Sequence, residues 1–458
     1  MIRYVVSLCF SVFSFALGIP VTVTGQPAVK RATKHVAKPL TLMGNRFFTF
    51  NTIIRVNQIE VARDRSIGHD ERALHTPERV MKFREALENG FPGAKMTWAF
   101  SWLALKDTSF NYREIRKMVV GYHFKYGDEI TFIPGAYFAN AYNSTEQVNK
   151  DLHDGVAMVS KLVGGHYRPL SIVAGFLSAK NQEFLADKEG IHVCQGNIWS
   201  QYSIDNQDGD GSVVYPFYPS KEHFCKPAQN KFDFVDCVNL DGWTVDFLAA
   251  RRAGFAGGFN SRMGVGPIET LGKYGTETGL KEMMHSTAIH FDKGFELNGF
   301  AWVTNCWELS LPFDDADLTS WVHLVKQRWP DVKFITQGEF GMLWRSHFKK
   351  NNFNYRFVEK GSGIGGSDKD KQIRWFMNPS FRLALLKDLA TGKTKVIDFT
   401  RYNQTFSEPK SGSTRKWSLL GDINQKGVRP QDRPIPLDSL PVESKRLIGK
   451  FYPALFAD

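Results

Sequence analysis

A regular alternation of β-like and helix-like runs, from about residue 45 to residue 345, most constrains the fold of this 458-residue chain. Runs rich in Phe, Ile, Val and Thr alternate with runs that open on capping residues. At Thr76-Pro77, for example, Thr suits the N-cap and Pro suits the first helical position. Such alternation places parallel strands in a sheet with helices outside it. Seven or eight units in about 300 residues favour a closed barrel over an open sheet. We therefore predict an α/β fold, a (β/α)7-8 barrel with a small β-rich C-terminal domain.

The individual elements are predicted from the same pattern. The predicted strands cover 46–61, 94–103, 128–138, 170–177, 191–198, 256–260, 299–309 and 333–336. The predicted helices cover 76–90, 112–126, 145–163, 180–188, 241–253, 276–292 and 315–329.

The two ends of the chain differ from the barrel region. Residues 1–25 combine a basic start, a short apolar run and small residues at Ala16-Leu17-Gly18 and Val23-Thr24-Gly25, the order of a secretory signal peptide. An uncleaved anchor or a buried first strand is the alternative. Residues 26–42 predict a flexible leader, 43–350 the barrel, and 351–458, with short β-like runs between turns, the C-terminal domain. We expect a secreted or periplasmic protein.

Composition narrows the set of partners. The formal charge is +11, but Lys and Arg are scattered and no nucleic-acid motif accompanies them. We therefore expect no nucleic-acid partner. No later segment approaches the roughly 18 consecutive apolar residues of a membrane span, so we expect no stable membrane insertion after signal cleavage. The basic surface is compatible with an anionic polysaccharide or with a plain solvated surface.

Cysteines leave two alternatives open. Cys194, Cys225, Cys237 and Cys306 remain after signal cleavage. In an oxidising compartment they allow one or two disulfides, and four buried thiols are the other alternative. No CxxC pair is present, which argues against a structural zinc site of that type.

Carboxylates at the ends of the last two predicted barrel strands are the leading catalytic candidates. Glu308 follows the seventh strand and Glu339 follows the eighth. In a parallel barrel, chemistry is placed where strands end. A carboxyl pair can protonate a leaving oxygen and attack or activate water, as in a glycosidase. Trp302 and Trp307 are candidate sugar platforms, and a salt-bridge or capping role for each glutamate is the structural alternative.

A polar loop after the fifth strand is the second candidate site. Trp199, Asp205 and Asp208 are candidate substrate-binding residues. Asp208 and Asp210 also fit the start of a calcium loop, although Phe217 stands where the loop's bidentate Glu belongs. Calcium is thus a candidate ligand, and we expect no required cofactor.

Asp246 is a further candidate for substrate binding, and Asp205, Asp208 or Asp246 would substitute for one of the two glutamates if that residue proves structural.

Several segments resemble the glycoside hydrolase/deacetylase barrel superfamily, which includes polysaccharide deacetylases. Gly127-Asp128-Glu129-Ile130 resembles a Gly-His-Glu-Ile segment that leads to metal-binding histidines, and 167–169 resembles an Arg-Pro-Pro segment. Segments 417–420 and 423–426 are similar to a group of secreted bacterial proteins in that superfamily, a domain of unknown function. The resemblance implies a carbohydrate substrate and a barrel fold.

The departures from the deacetylase pattern favour other chemistry. Thr131-Phe132-Ile133-Pro134-Gly135 stands where deacetylases carry two metal histidines, and no Thr-Phe-Asp-Asp follows the first strand. The first hypothesis is therefore an exported hydrolase, a glycosidase acting on a polysaccharide. The alternatives are a deacetylase with an atypical metal site around His69, Asp70 and Asp128, and a non-catalytic glycan-binding barrel.

Overall fold

The structure, a computed structural model, describes residues 39–61, 65–197, 211–242, 244–253, 263–412, 417, 419, 423 and 434–457. Residues Thr41–Asp458 form one unit. The predicted signal peptide and the Trp199–Asp210 loop lie outside the described residues.

Strands and helices alternate through the first part of the chain, and strands dominate the last part. The strands are β1 (Arg46–Ile54), β2 (Asn57–Val61), β3 (Arg65–Asp70), β4 (Thr97–Phe100), β5 (Glu129–Phe132), β6 (Ile172–Val173), β7 (Val193–Gln195), β8 (Val238–Leu240), β9 (Ala301–Cys306), β10 (Lys333–Ile335), β11 (Tyr355–Lys360), β12 (Lys371–Asn378), β13 (Phe381–Asp388), β14 (Thr394–Arg401) and β15 (Ile435–Pro436). The α-helices are α1 (Pro77–Gly90), α2 (Trp102–Lys106), α3 (Phe110–Tyr126), α4 (Ala139–Tyr142), α5 (Thr145–Val163), α6 (Ala179–Phe184), α7 (Phe247–Ala253), α8 (Gly272–Ala288), α9 (Phe295–Asn298), α10 (Asp315–Arg328), α11 (Gln337–His347) and α12 (Val442–Phe451). Short 3-10 or π-helical turns cover Pro134–Tyr137, Leu185–Glu189, Pro267–Leu271, Ile289–Gly294, Leu437–Ser439 and Pro453–Leu455.

Strand β1 organises the first parallel sheet. It pairs with β9 along one edge. Its other edge is shared, because Phe47–Thr49 pair with β10 and Asn51–Ile54 pair with β4. Strand β5 extends the sheet beyond β4. The start and the end of the predicted barrel are thereby adjacent in space.

Different helices cover the two faces of this sheet. Phe48 and Phe50 of β1 pack on Trp321 of α10 and Phe83 of α1, with ring centroids 5.2 and 5.8 Å apart. Phe47, on the opposite face, packs on Phe340 of α11 at 5.5 Å. Because successive residues of a strand face opposite sides, α11 covers the face that α1 and α10 do not.

Glu129 fixes the start of α11. This buried carboxylate accepts hydrogen bonds from the amides of Gly338 (2.9 Å), Leu170 (3.0 Å) and Ser171 (2.8 Å). The Ser171 hydroxyl donates a fourth bond at 2.9 Å. Burial raises the pKa of Glu129, and these donors oppose that effect. One carboxyl group thus ties β5, the segment before β6 and α11 together.

Strands β6, β7 and β8 form a second parallel sheet. In the part of the chain that the structure describes, no strand pairing joins it to the first sheet. The parallel strands are thus confirmed, but the predicted closure into one barrel is not. The predicted strand 256–260 falls on residues outside the described ranges, and β8 lies in a segment for which the sequence pattern predicted no strand.

The β-rich C-terminal region is confirmed as an antiparallel sheet, in the order β11-β12-β13-β14-β15. On one face, Phe357 packs on Tyr215 and His290, at centroid distances of 4.7 and 4.9 Å. On the other face, Phe381 packs on Phe451 and Tyr452 at the end of α12. The sheet is thus covered on both faces.

Two further expectations concern the whole chain. No described helix combines the length and the apolar character needed to cross a bilayer. The four cysteines Cys194, Cys225, Cys237 and Cys306 are buried thiols rather than disulfides, and burial raises the pKa of Cys194 and Cys237.

The packing of α11 predicts opposite effects for two glycine substitutions. A Cβ at Gly341 of α11 would lie 2.4 Å from Val193 of β7, whereas a Cβ at Gly121 of α3 would meet nothing within 4 Å. We expect Gly341→Ala to destabilise the protein by about 1–3 kcal/mol through overpacking. We expect the control Gly121→Ala to stabilise it by up to about 1 kcal/mol, because Ala favours the helix. Chemical denaturation measures both, and an equally stable Gly341→Ala variant would contradict this packing.

Candidate active site at the carboxyl rim

Glu308, the first predicted catalytic residue, belongs to a hydrogen-bond network centred on Arg55. Its Oε2 accepts a hydrogen bond from Arg55 Nη2 at 2.7 Å. The same guanidinium donates to both oxygens of Glu71, at 2.6 and 2.8 Å. His75 lies 3.5 Å from Glu71. Glu308 is therefore paired with a mostly buried cation just beyond the carboxyl end of β1.

Glu339, the second predicted catalytic residue, is a helix cap. Its Oε2 accepts a hydrogen bond from the amide of Thr336 at 3.0 Å, and the Thr336 hydroxyl accepts one from the amide of Glu339 at 3.1 Å. This reciprocal pair is a capping box at the start of α11. The other oxygen of Glu339 accepts a hydrogen bond from Lys95 at 2.5 Å. Both carboxylate oxygens are thus occupied.

The structure does not bring the two glutamates together. Arg55, which binds Glu308, directly follows β1, whereas Lys95, which binds Glu339, precedes β4. The two strands are parallel and in register, so the two cations lie at opposite ends of these strands. In this register Arg55 lies opposite residue 101, six residues beyond Lys95, so the backbones of the two cations are about 20 Å apart along the strand direction. The prediction of a shared Glu308–Glu339 site is therefore wrong. Each glutamate follows a strand in sequence, but that position does not determine where its side chain points.

The predicted tryptophan platforms are core residues. Trp302 stacks on Phe340 at 4.8 Å and Trp307 stacks on Trp321 at 5.7 Å. Both indole rings are buried, so neither offers a face to a sugar. The predicted residues Trp199, Asp205, Asp208 and Asp210 lie outside the described residues, and their predicted roles stay predictions.

A cleft of about 610 Å³ opens at the carboxyl ends of β5 and β6. Its wall includes Ser144 and Ser178, the N-caps of α5 and α6, which follow those strands. The segment Thr405–Ser411, which follows β14, also lines the cleft. Open α/β sheets bind ligands in crevices outside the carboxyl ends of their strands. This cleft is therefore the candidate active site.

Glu408 supplies the cleft with an acidic group of unusual pKa. Its Oε1 accepts hydrogen bonds from the amides of Ala179 (2.8 Å) and Phe224 (2.9 Å). Burial raises its pKa to about 7, although the two amides and the neighbouring Lys180 act in the opposite direction. A carboxylic acid held in this way can accept both amides on its carbonyl oxygen while its other oxygen carries a proton.

Glu222 is a second carboxyl group in the cleft, with the opposite tendency. Partial burial would raise its pKa, but hydrogen bonds from Lys226 (2.6 Å) and the Phe406 amide (3.2 Å) outweigh it, and the pKa is lowered. Two hydrogen bonds connect the segments that carry these glutamates. Glu408 accepts one from the amide of Phe224, near Glu222 in sequence, and Glu222 accepts one from the amide of Phe406, near Glu408. The cleft thus contains one carboxyl group with a raised pKa, Glu408, and one with a lowered pKa, Glu222.

The rest of the cleft combines aromatic and cationic groups. Phe406 lines it with part of its ring exposed, whereas Trp417 at the same wall is buried and stacks on Phe176 at 5.0 Å. Lys180 and Lys221 line the same cleft. Aromatic rings with a few polar groups are what sugar-binding clefts require.

Asp246, the remaining predicted residue, lies in another place. It belongs to the one group in the described chain whose side chains could hold a metal ion, together with His285 and Glu359. One ligand atom from each lies within 4.8 Å of the others. Asp246 and Glu359 are buried, and none of the three lines the cleft.

The atypical metal site around His69, Asp70 and Asp128 is not assembled. Asp128 is fully buried and accepts hydrogen bonds from Arg84 (2.9 Å) and the Trp98 indole (2.9 Å). Asp70 is exposed and pairs with Arg72, two residues along the chain. The two carboxylates thus serve separate structural roles.

Sequence reasoning missed both Glu222 and Glu408. Glu408 lies in a segment predicted only as part of the β-rich C-terminal domain, and its pKa depends on residues about 180 to 230 positions away. No local spacing could have indicated that pairing.

The different settings of Asp128 and Asp70 predict different costs for the same substitution. We expect Asp128→Asn to destabilise the protein by about 3–5 kcal/mol, because the buried Arg84 guanidinium loses its buried carboxylate partner and keeps only Glu88, at 3.6 Å. The control Asp70→Asn should cost under about 1 kcal/mol, since its partner is exposed. Equal unfolding free energies in urea for the two variants would contradict the role given to Asp128.

Two family models match the chain, one after the other. Residues 40–377 match a family described as a domain of unknown function with a solved structure, DUF3863, and residues 382–455 match DUF3864, described in the same way. No match was found among curated protein sequences.

Several solved structures are similar to this chain. One, from Parabacteroides distasonis, is provisionally described as a glycoside hydrolase/deacetylase; it is 50% identical, with a TM-score of 0.87 over 92% of this chain and 100% of that chain. A provisionally described polysaccharide deacetylase from Pseudomonas aeruginosa PAO1 is 11% identical, with a TM-score of 0.43 over 66% and 91% of the two chains. A GH57-type branching enzyme from Pyrococcus horikoshii is 12% identical, with a TM-score of 0.38 over 65% and 69%.

The similarity to the Parabacteroides protein extends over nearly the whole chain at high identity. The resemblance to the glycoside hydrolase/deacetylase superfamily is thereby confirmed. With 40–377 and 382–455 both matched, the chain belongs to the DUF3863 family and carries the DUF3864 domain after it.

Proposed function

We propose that this chain is a carbohydrate-active hydrolase that cleaves a polysaccharide in the cleft between the carboxyl rim and the segment Thr405–Ser411. The observation that carries the proposal is the pair Glu408 and Glu222, two carboxyl groups of one cleft whose pKa values are driven apart. Carboxyl pairs of this kind divide acid and base roles between them. The Parabacteroides protein, described as a glycoside hydrolase/deacetylase, supports the same class of substrate.

The two glutamates take different roles in this proposal. Glu408, protonated below pH 7, donates its proton to the glycosidic oxygen as the bond from that oxygen to the anomeric carbon breaks. Glu222, ionised, either attacks the anomeric carbon or takes a proton from the attacking water. Water supplies the hydroxyl of one product, and its proton restores Glu408 or leaves through Glu222. The anomeric configuration of the product distinguishes these two routes.

The activity of two glutamine variants tests the proposal. Once a panel of neutral and anionic polysaccharides has identified a substrate, Glu408→Gln and Glu222→Gln should each lower kcat at least about 100-fold. The amide that replaces the Glu408 carboxyl would keep an acceptor for the Ala179 and Phe224 amides but could not act as an acid. The control Glu78→Gln, on the exposed side of α1, should leave kcat unchanged. Wild-type glycan binding without turnover would contradict catalysis and favour a glycan-binding protein.

The pH profile gives a further check on the same variants. Because the pKa of Glu408 is raised to about 7, the acid is protonated below that pH and loses its proton above it. We therefore expect kcat to fall as pH rises through about 7. The low pKa of Glu222 keeps that group ionised at mildly acidic pH. A rate that stays constant from pH 6 to 9 would contradict the role of Glu408.

We also propose that the protein is exported, which would place it with polymeric substrates outside the cytoplasm. The support is the basic, apolar and small-residue order of residues 1–25. Amino-terminal sequencing of protein from the periplasm or medium of an expressing bacterium should start after Gly18 or Gly25. Recovery of a chain that begins at Met1, in the cytoplasm alone, would contradict export.

A further inference from the structure

A group of three buried carboxyl groups and a histidine lies apart from the cleft. Asp246 is on the loop after β8, Glu282 and His285 are on α8, and Glu359 is on β11 of the C-terminal sheet. Asp246 lies within hydrogen-bonding range of both Glu282 and Glu359. One atom each of Asp246, His285 and Glu359 lies within 4.8 Å of the others. We call these four residues the acidic cluster.

Part of the acidic cluster has ordinary structural partners. Asp246 Oδ1 caps α7 by accepting a hydrogen bond from the amide of Ala249 at 2.6 Å. Glu359 accepts hydrogen bonds from the amides of Phe247 and Leu248 at 3.0 and 3.2 Å. These bonds hold the carboxyl groups in place, but they do not involve every carboxylate oxygen of the acidic cluster.

The remaining atoms point to a missing positive partner. Asp246 Oδ2 and Glu282 Oε2 receive no hydrogen bond from any donor in the described part of the chain, although both side chains are fully buried. The ring nitrogen His285 Nε2 is also without one there. Buried polar atoms are almost always paired, and buried charges are paired with cations or metals. No Lys or Arg forms an ion pair with these carboxylates among the described residues.

Three carboxyl groups at this separation cannot all stay charged in a buried site without a cation. The group must therefore hold either shared protons or a metal ion. The histidine favours the metal ion, because an imidazole in a shared-proton network would make a hydrogen bond through its ring nitrogens, whereas His285 Nε2 has no partner among the described residues.

We propose that Asp246, His285 and Glu359 bind one divalent transition-metal ion such as Zn²⁺, with Glu282 beside it as a further oxygen ligand. Carboxylate and imidazole ligands together suit zinc and its neighbours, whereas calcium and magnesium take oxygen ligands. Ligand atoms around a tetrahedral ion at about 2.1 Å lie about 3.4 Å apart. Small side-chain rotations therefore suffice to close the present spacing.

The ion would join three segments that are distant in sequence. It would link the loop after β8, helix α8 and strand β11, and so hold the C-terminal sheet against the parallel strands. A metal bound only by the folded chain adds its binding free energy to folding. The role is structural, and it stands independently of the catalytic proposal because none of the four residues lines the cleft.

The test uses untagged full-length protein treated with EDTA and dialysed. We expect it to bind one equivalent of added Zn²⁺ by titration calorimetry, and its Tm to rise by at least about 3 °C with excess Zn²⁺. Ca²⁺ at the same concentration should give no such rise. Zinc binding at no more than background, or equal stabilisation by Ca²⁺, would overturn the proposal.

His285→Gln is the decisive variant, because His285 is only half-buried and its replacement should leave the fold intact. We expect it to weaken zinc binding at least about tenfold, with unchanged circular dichroism. Asp246→Asn should abolish binding, and Glu277→Gln, an exposed residue of the same helix, is the matched control. Unchanged zinc affinity in His285→Gln would overturn the site.

Discussion

Helix α11, packed against the parallel strands, determines where this chain can form a binding site. Glu129 binds the amide of Gly338 at the start of this helix, and Phe340 packs on Phe47 and Trp302 farther along it. The helix covers the face of the sheet that carries Phe47 and fills it with side chains. Trp302 becomes core for the same reason, and Glu339 becomes the cap of that helix. A binding site must then form at the rim, where the loops leave space.

The rim cleft is built jointly by both parts of the chain. The amides of Ala179 and Phe224 hold Glu408, and the Phe406 amide and Lys226 hold Glu222. These contacts attach the C-terminal segment to the carboxyl ends of the strands and also set the protonation of the two glutamates. The same hydrogen bonds therefore hold the C-terminal segment in place and influence the pKa values of Glu408 and Glu222. The proposed site still uses a pair of carboxyl groups, as the sequence suggested, but the pair is Glu408 and Glu222 in the rim cleft rather than Glu308 and Glu339.

Local patterns predicted what depends on neighbours in sequence. Helices α1, α5 and α10 lie close to their predicted ranges, because their caps Thr76, Ser144 and Asp314 are local chemistry. The parallel strands were predicted from the alternation of strands and helices, and the β-rich C-terminal region from short β-like runs between turns. The three-residue strand β8 was missed because Val238-Asn239-Leu240 has no periodicity to detect, and its strand character comes from pairing with β7.

Candidate residues were harder to predict than elements. A glutamate that follows a strand can point to a buried arginine, as Glu308 does, or cap the next helix, as Glu339 does. Asp246 was chosen for its acidity alone, and its partners Glu282, His285 and Glu359 come from α8 and β11. These outcomes depend on contacts between segments that the fold brings together, and no spacing in the sequence records them.

The position of a bound oligosaccharide would show whether the cleft at the carboxyl rim is the active site. A crystal structure of the Glu408→Gln variant with a fragment of its substrate should show sugar in the cleft lined by Ser178, Phe406 and Trp417, with the scissile oxygen beside residue 408. Ordered sugar bound elsewhere, for example beside Glu308 and Arg55, with the cleft empty, would show that the active site lies in another place.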